Sequence, residues 1–169
     1  MNTTFFGNLF SSAKQDKAHA ADMAKAMAVQ QIYIAIFAHE NWKHRILTFA
    51  EGYSTEAFTA EEVYAVDSTE LGQWIETVGK TKFGEYTDFA LLVEHHKMLH
   101  YAAANSVFHL EMHPDDASRN HEVKELLTGA FENFSNAIIS DLLKLRETVE
   151  GQDSGHRSAT AIKMLPTLH

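Results

Sequence analysis

The chain contains no cysteine in its 169 residues. That excludes disulfides, thiolate nucleophiles, iron–sulfur clusters and any zinc site built on Cys ligands. Proline is almost as scarce: Pro114 and Pro166 are the 2 examples, so long stretches carry no helix breaker. Basic charge is short as well, with 14 Lys and Arg against 23 Asp and Glu and a formal net charge of −9. A chain of that sign has little with which to neutralise a row of phosphates, which argues against nucleic acid and anionic membrane as partners. The longest strongly apolar run, Ile32–Ala38, falls far short of the roughly 20 residues that a membrane span requires. No basic stretch leading into an apolar one opens the chain, so a soluble cytoplasmic protein is expected.

What is present reads as one globular domain. Apolar residues make up 45% of the sequence, enough for a sizeable core and too many for a disordered chain. The 11 histidines are many for this length, and in an acidic protein they point to metal before pH sensing.

Helical periodicity dominates. From Lys14 to Phe49 the sequence is rich in Ala, Met, Gln and Lys, has no Gly or Pro, and predicts one long helix capped at Gly52. Thr59-Ala60-Glu61-Glu62 reads as a capping box that opens a second helix reaching Gly79. A third is expected from Glu85 to Met112, stopped by His113-Pro114, and a fourth from Ser118 to Glu150. No alternating run bounded by turn residues suggests a strand. Short connections between long amphipathic helices predict an all-α, antiparallel four-helix bundle with short extra helical segments at the termini. The bundle is placed at residues 14–151. An N-terminal apolar segment (1–13) precedes it, and a C-terminal tail (152–169) follows, polar first and then apolar at Ile162, Met164, Leu165 and Leu168.

The histidines divide by helix face. His96 and His100 are four apart and share a stripe with Phe89, Val93, Ala103 and Val107, so both point inward. His39 falls on the stripe Ile32, Ile36, Trp42 and Ile46. An unpaired imidazole in such a stripe is costly. A single core histidine is usually a hydrogen-bonded structural residue, but three near mid-helix, two at chelating spacing, favour a metal. His109 and His113 form a second such pair at a helix end, where exposure is the simpler account. His19, His44, His95, His121, His156 and His169 read as solvated.

These residues carry a resemblance. Ala38-His39-Glu40-Asn41-Trp42-Lys43 resembles the opening motif of the chemoreceptor zinc-binding (CZB) domain family, a His followed three positions later by an aromatic. Leu71-Gly72-Gln73-Trp74 is similar to that family's Leu-Gly-x-Trp element, and His96-Lys97-Met98-Leu99-His100 falls where the family places its closing His-x-x-x-His. The similarity runs from about Ile32 to Val107. It implies a zinc site of three His and one Cys, carried over to His39, His96 and His100. Thr69 stands where the Cys belongs. A neutral hydroxyl is a poor zinc ligand beside a thiolate, so the fourth place falls to water, a nearby carboxylate or nothing. Asp67 is the preferred carboxylate, being short and rigid, ahead of Glu70.

The resemblance further implies a regulatory, non-enzymatic role in bacterial signal transduction, of chemotaxis or cyclic-di-nucleotide type. Zinc occupancy would then alter helix packing and be read by a signalling partner or by the other half of a homodimer. Two rivals stand beside it. A hemerythrin-like di-iron, oxygen-binding bundle needs about five inward His with bridging carboxylates, and Glu-x-x-His, the ferritin-like signature, occurs nowhere in the chain. A helical interaction module that has lost its metal is the other, and the missing Cys favours it.

Overall fold

The computed structural model describes residues 3–112, 123 and 125–151, with side chains described from residue 14 onward. The chain forms an all-α bundle, and among the described residues there is no strand. Among the described residues its helices include α1 (Thr3–Ala50), α2 (Ala60–Tyr64), α3 (Glu70–Trp74), α4 (Lys80–Phe83), α5 (Thr87–Met112) and α6 (Glu132–Gly151). A 3₁₀ turn at Val66–Ser68 leads into α3, and π turns at Ile75–Gly79 and Leu127–Phe131 precede α4 and α6. Among the described residues no helix is long and apolar enough to cross a membrane.

Helix α1 begins at Thr3, well before the expected Lys14, so residues 3–13 continue its backbone. Its far end is the predicted glycine cap. Gly52 has φ +78°, the left-handed region that a Cβ disfavours. The N–H groups of Tyr53 and Gly52 donate to Thr48 and Phe49 carbonyls, each at 3.0 Å, which completes a Schellman motif. The capping box at Thr59 also forms. Its hydroxyl accepts from the Glu62 N–H at 3.2 Å, and the Glu62 carboxylate accepts from the Thr59 N–H at 3.0 Å.

The second helix departs most from expectation. The sequence predicts one span from Thr59 to Gly79; the chain instead breaks at Ala65 and restarts at Thr69, which has extended φ/ψ of −88° and 158°. Side chains explain the break. Ser68 Oγ donates to the Ala65 carbonyl at 2.6 Å, and Thr69 Oγ1 accepts from the Gly72 N–H at 3.1 Å, capping α3. Short hydroxyl residues compete with helical hydrogen bonding in this way, and three polar residues in a row concentrate the competition at Asp67-Ser68-Thr69. Gly72 makes the resulting approach feasible, because a Cβ there would lie 1.9 Å from the Val66 carbonyl oxygen.

Helices α1 and α6 run antiparallel, since His39 meets Ser135, Tyr33 meets Arg146 and Lys25 meets Glu150. Helix α5 packs on α6 and on the α2 segment. The core they enclose includes Ile32 and Ile46 from α1, Leu71 from α3, Leu92 and Leu99 from α5, and Ile138, Leu142 and Leu145 from α6, none more than 1% exposed. Each such aliphatic side chain contributes roughly 1.5–3 kcal/mol by leaving water. Trp74 fills core as anticipated, stacking on Phe83 at 5.7 Å between ring centroids. Gly79 leaves room for it, because a Cβ there would approach the Trp74 and Phe89 rings within 2.8 Å. The expected helix start near Ser118, the residues His113, His121, His156 and His169, and the apolar part of the tail lie outside the described residues.

Candidate metal centre

The three inward histidines are where the helix-face argument puts them. His39, His96 and His100 are 1%, 4% and 0% exposed. α1 supplies the first, and α5 presents the other two one turn apart with ring centroids 4.5 Å apart, edge to face. Trp42, one turn beyond His39, stacks on His100 at 4.4 Å with 24° between the rings. Each imidazole uses one ring nitrogen. His96 Nε2 donates to the Val66 carbonyl at 3.1 Å and His100 Nδ1 donates to the Val63 carbonyl at 2.5 Å. His39 Nε2 meets Ser135 Oγ on α6 at 2.9 Å.

The other three nitrogens, His39 Nδ1, His96 Nδ1 and His100 Nε2, are buried and have no hydrogen-bond partner. A carbonyl only accepts, so Val66 and Val63 fix the proton on His96 Nε2 and His100 Nδ1 and leave lone pairs on the unpartnered atoms. Most buried polar atoms in native proteins are satisfied, and three orphans on one cluster call for a cause. Ligating imidazoles typically show this arrangement, one nitrogen held by an outer acceptor and the other left for the ion.

Electrostatics keep the cluster neutral. Burial, followed by the charge of Lys43 and then by His100, pushes His39 down from 6.5 to about 4. Burial and then His100 push His96 down to about 3, against a smaller opposing effect of its hydrogen bond to Val66. His100 is also lowered, chiefly by burial. At neutral pH the lone pairs are therefore not occupied by protons, and a cation would face little competition from H⁺.

The donor set thus fits an imidazole-binding metal such as zinc in its chemistry. It does not stand as a formed cage: among the described residues no group of three or more His, Asp or Glu side chains is arranged to hold an ion as it lies. Thr69 and Asp67, the two candidates for the fourth place, part company. Thr69 is 9% exposed, and its hydroxyl reaches the Val66 carbonyl, 3.3 Å away, that also receives His96. Asp67 lies exposed on the 3₁₀ turn, with no hydrogen bond or ion pair to the imidazoles. Its carboxylate projects to solvent because the turn puts Val66, not Asp67, against α5.

Four partners of the histidines carry little or no signal in the sequence: Ser135, the carbonyls of Val63 and Val66, and Asp141. Ser135 could have been found as the small polar residue in the stripe that runs from Phe131 in the π turn through Ile138, Leu142 and Leu145 of α6. The carbonyls of Val63 and Val66 carried no signal, because main-chain acceptors are freed only where a helix breaks. His95, read as solvated, instead pairs its Nδ1 with Asp141 Oδ2 at 2.6 Å, and that carboxylate is 3% exposed.

Fold and site together define an all-α bundle built around a buried, neutral imidazole cluster. No family model matches the chain, and neither a curated protein nor a solved structure matches it.

Proposed function

We propose that this chain is a zinc-binding regulatory domain of the CZB type, cytoplasmic, non-enzymatic and acting in bacterial signal transduction. One observation carries the reading: three buried imidazoles from two helices, each anchored through one nitrogen, with the other three nitrogens unpartnered. His39, His96 and His100 would hold the ion, with water or the Thr69 position as the fourth contact. Zinc supplies a charge that draws the three lone pairs together and takes no part in turnover. His39 belongs to α1 and the other two to α5, so turning the rings toward one centre tightens α1 against α5. His96 and His100 also hold the carbonyls of Val66 and Val63, so their rotation pulls on the α2 segment and its 3₁₀ turn. A signalling partner or a second copy of the chain then reads that displacement. For self-association, the exposed stripe Leu91, Met98, Tyr101, Phe108 and Met112 on α5 is the proposed contact.

The test is metal content of protein purified without chelator or metal-affinity resin, followed by zinc titration with Trp42 fluorescence as the readout in a Trp74→Phe background. About one zinc per chain, with a Trp42 response that His100→Ala abolishes, is expected. Absence of zinc uptake at micromolar concentrations overturns the reading. A helical interaction module without metal is the second reading, favoured by the observation that no ligand set is arranged to hold an ion among the described residues. In that case the imidazoles hold the α2 segment in place and nothing else.

A further inference from the structure

Helix α1 carries two seams of alternating three- and four-residue spacing. The first, Ile32, Ala35, His39, Trp42 and Ile46, is buried in the core. In the second, Ala20, Met27, Ile34 and Asn41 recur every seven residues, and Met23, Gln30 and Phe37 each follow by three, as the a and d positions of a heptad do. All of these are exposed, Met23, Met27, Ile34 and Phe37 at 52%, 56%, 47% and 72%. At 3.6 residues per turn this seam lies on the side of α1 turned away from the core. A continuous apolar stripe of this kind marks a contact surface rather than scattered surface hydrophobes.

Charge, polar pairing and area indicate what covers it. No Asp, Glu, Lys or Arg occurs from Ala26 to His39, in a chain whose net charge is −9. Two copies of so acidic a chain repel where both present carboxylates, and an uncharged strip lets them approach. Tyr33, which borders the strip, already receives Arg146 on its hydroxyl at 2.9 Å. In a parallel, in-register pair each seam residue meets its own counterpart, so Gln30 faces Gln30 and Asn41 faces Asn41, and paired amides satisfy one another. An antiparallel pair sets Gln30 or Asn41 against an apolar residue, or matches the two only by placing Met23 and Met27 opposite Thr48 and His44. One polar residue among the a positions is a known means of fixing register and strand number in coiled coils. The four apolar side chains and Tyr33 expose on the order of 500 Å² per copy, so a pair buries about 1,000 Å², where specific interfaces begin.

We propose that α1 forms a parallel, in-register, two-stranded coiled coil with α1 of a second copy, packed through Met23, Met27, Ile34 and Phe37, with Gln30 and Asn41 as polar layers. The contact is separate from the α5 stripe and requires no metal at the imidazole cluster. The absence of cysteine makes single-thiol cross-linking a clean test. Ala20→Cys and Phe37→Cys are made separately in the full-length chain, in a Met98→Asp/Phe108→Asp background that disables the α5 stripe. Each is treated with a short bismaleimide at micromolar protein. Both positions meet their own counterparts in a parallel coil, so both are expected to give a cross-linked dimer about tenfold faster than Tyr53→Cys, an exposed position off the seam. Adding Ile34→Asp is expected to bring both rates down to that of Tyr53→Cys. A fast dimer from one position alone overturns the parallel arrangement, and rates at both positions equal to that of Tyr53→Cys overturn the contact.

Discussion

His95 and His96 are neighbours on α5 and live in different chemical worlds. His96 points into the core against a backbone carbonyl, with its second nitrogen unpartnered. His95, about a third exposed, turns to α6 and meets the buried carboxylate of Asp141 beside the ring of Phe134. One environment leaves a ring nitrogen buried without a partner; the other gives its ring nitrogen to a carboxylate between two helices. Burial alone therefore does not make a histidine a candidate ligand. What matters is whether the partner already present satisfies it, and on α5 a step of one residue changes the answer.

Acid should separate the two environments most strongly. His39 and His96 are held neutral when folded, at about 4 and about 3, whereas an unfolded chain protonates its imidazoles near 6.5. The unfolded state binds more protons below pH 6.5, so stability is fully present above that pH and is lost as pH falls toward 4 and then 3. For metal-free protein, the loss from His39 alone approaches about 3 kcal/mol at the bottom of its window. Urea unfolding at pH 7.5, 5.5 and 4.5 measures it. A flat profile would remove the neutral cluster.

The polar seam should break almost as hard, and asymmetrically. His95→Ala strands the Asp141 carboxylate and is expected to cost about 3 kcal/mol. Asp141→Asn keeps an acceptor for the ring and should cost about 1 kcal/mol. Equal losses in thermal or denaturant melts would mean that the pair is not what holds α5 to α6 there.

Gly72→Ala tests the support of His96 from behind. The new Cβ displaces the Val66 carbonyl, which carries both His96 and Thr69, at an expected cost of about 2 kcal/mol. It should also weaken zinc uptake while leaving the His95–Asp141 contact intact, a separation visible in the histidine ring NMR signals. Unaltered stability would show that the approach of α3 to Val66 is softer than drawn.

The smallest effect on stability, and the sharpest on metal, belongs to Thr69. Thr69→Cys weakens an N-cap by about 1 kcal/mol. Under the proposed zinc reading it also adds a soft, charged ligand beside the three imidazoles, so zinc affinity should rise by about tenfold or more and rise further with pH until the thiol is ionised. Asp67→Ala should leave affinity unchanged, because Asp67 is exposed. Chelator competition on both variants decides between them; loss of zinc in Asp67→Ala alone would reverse the assignment.

Local chemistry made much of this protein legible in its sequence. The helix class, the cap at Gly52, the capping box at Thr59 and the inward faces of His39, His96 and His100 all follow from periodicity and short-range hydrogen bonding, which a linear chain displays directly. The break at Ala65–Thr69 was harder to see, because whether Ser68 and Thr69 cap or continue a helix depends on the α5 surface waiting to receive Val63 and Val66. Ser135, Asp141 and the two valine carbonyls lie 30 or more residues from the histidines they hold. Their roles exist only once α2, α5 and α6 are packed, since the energy of a buried polar atom is set by the partner that packing brings within reach and not by its neighbours along the chain.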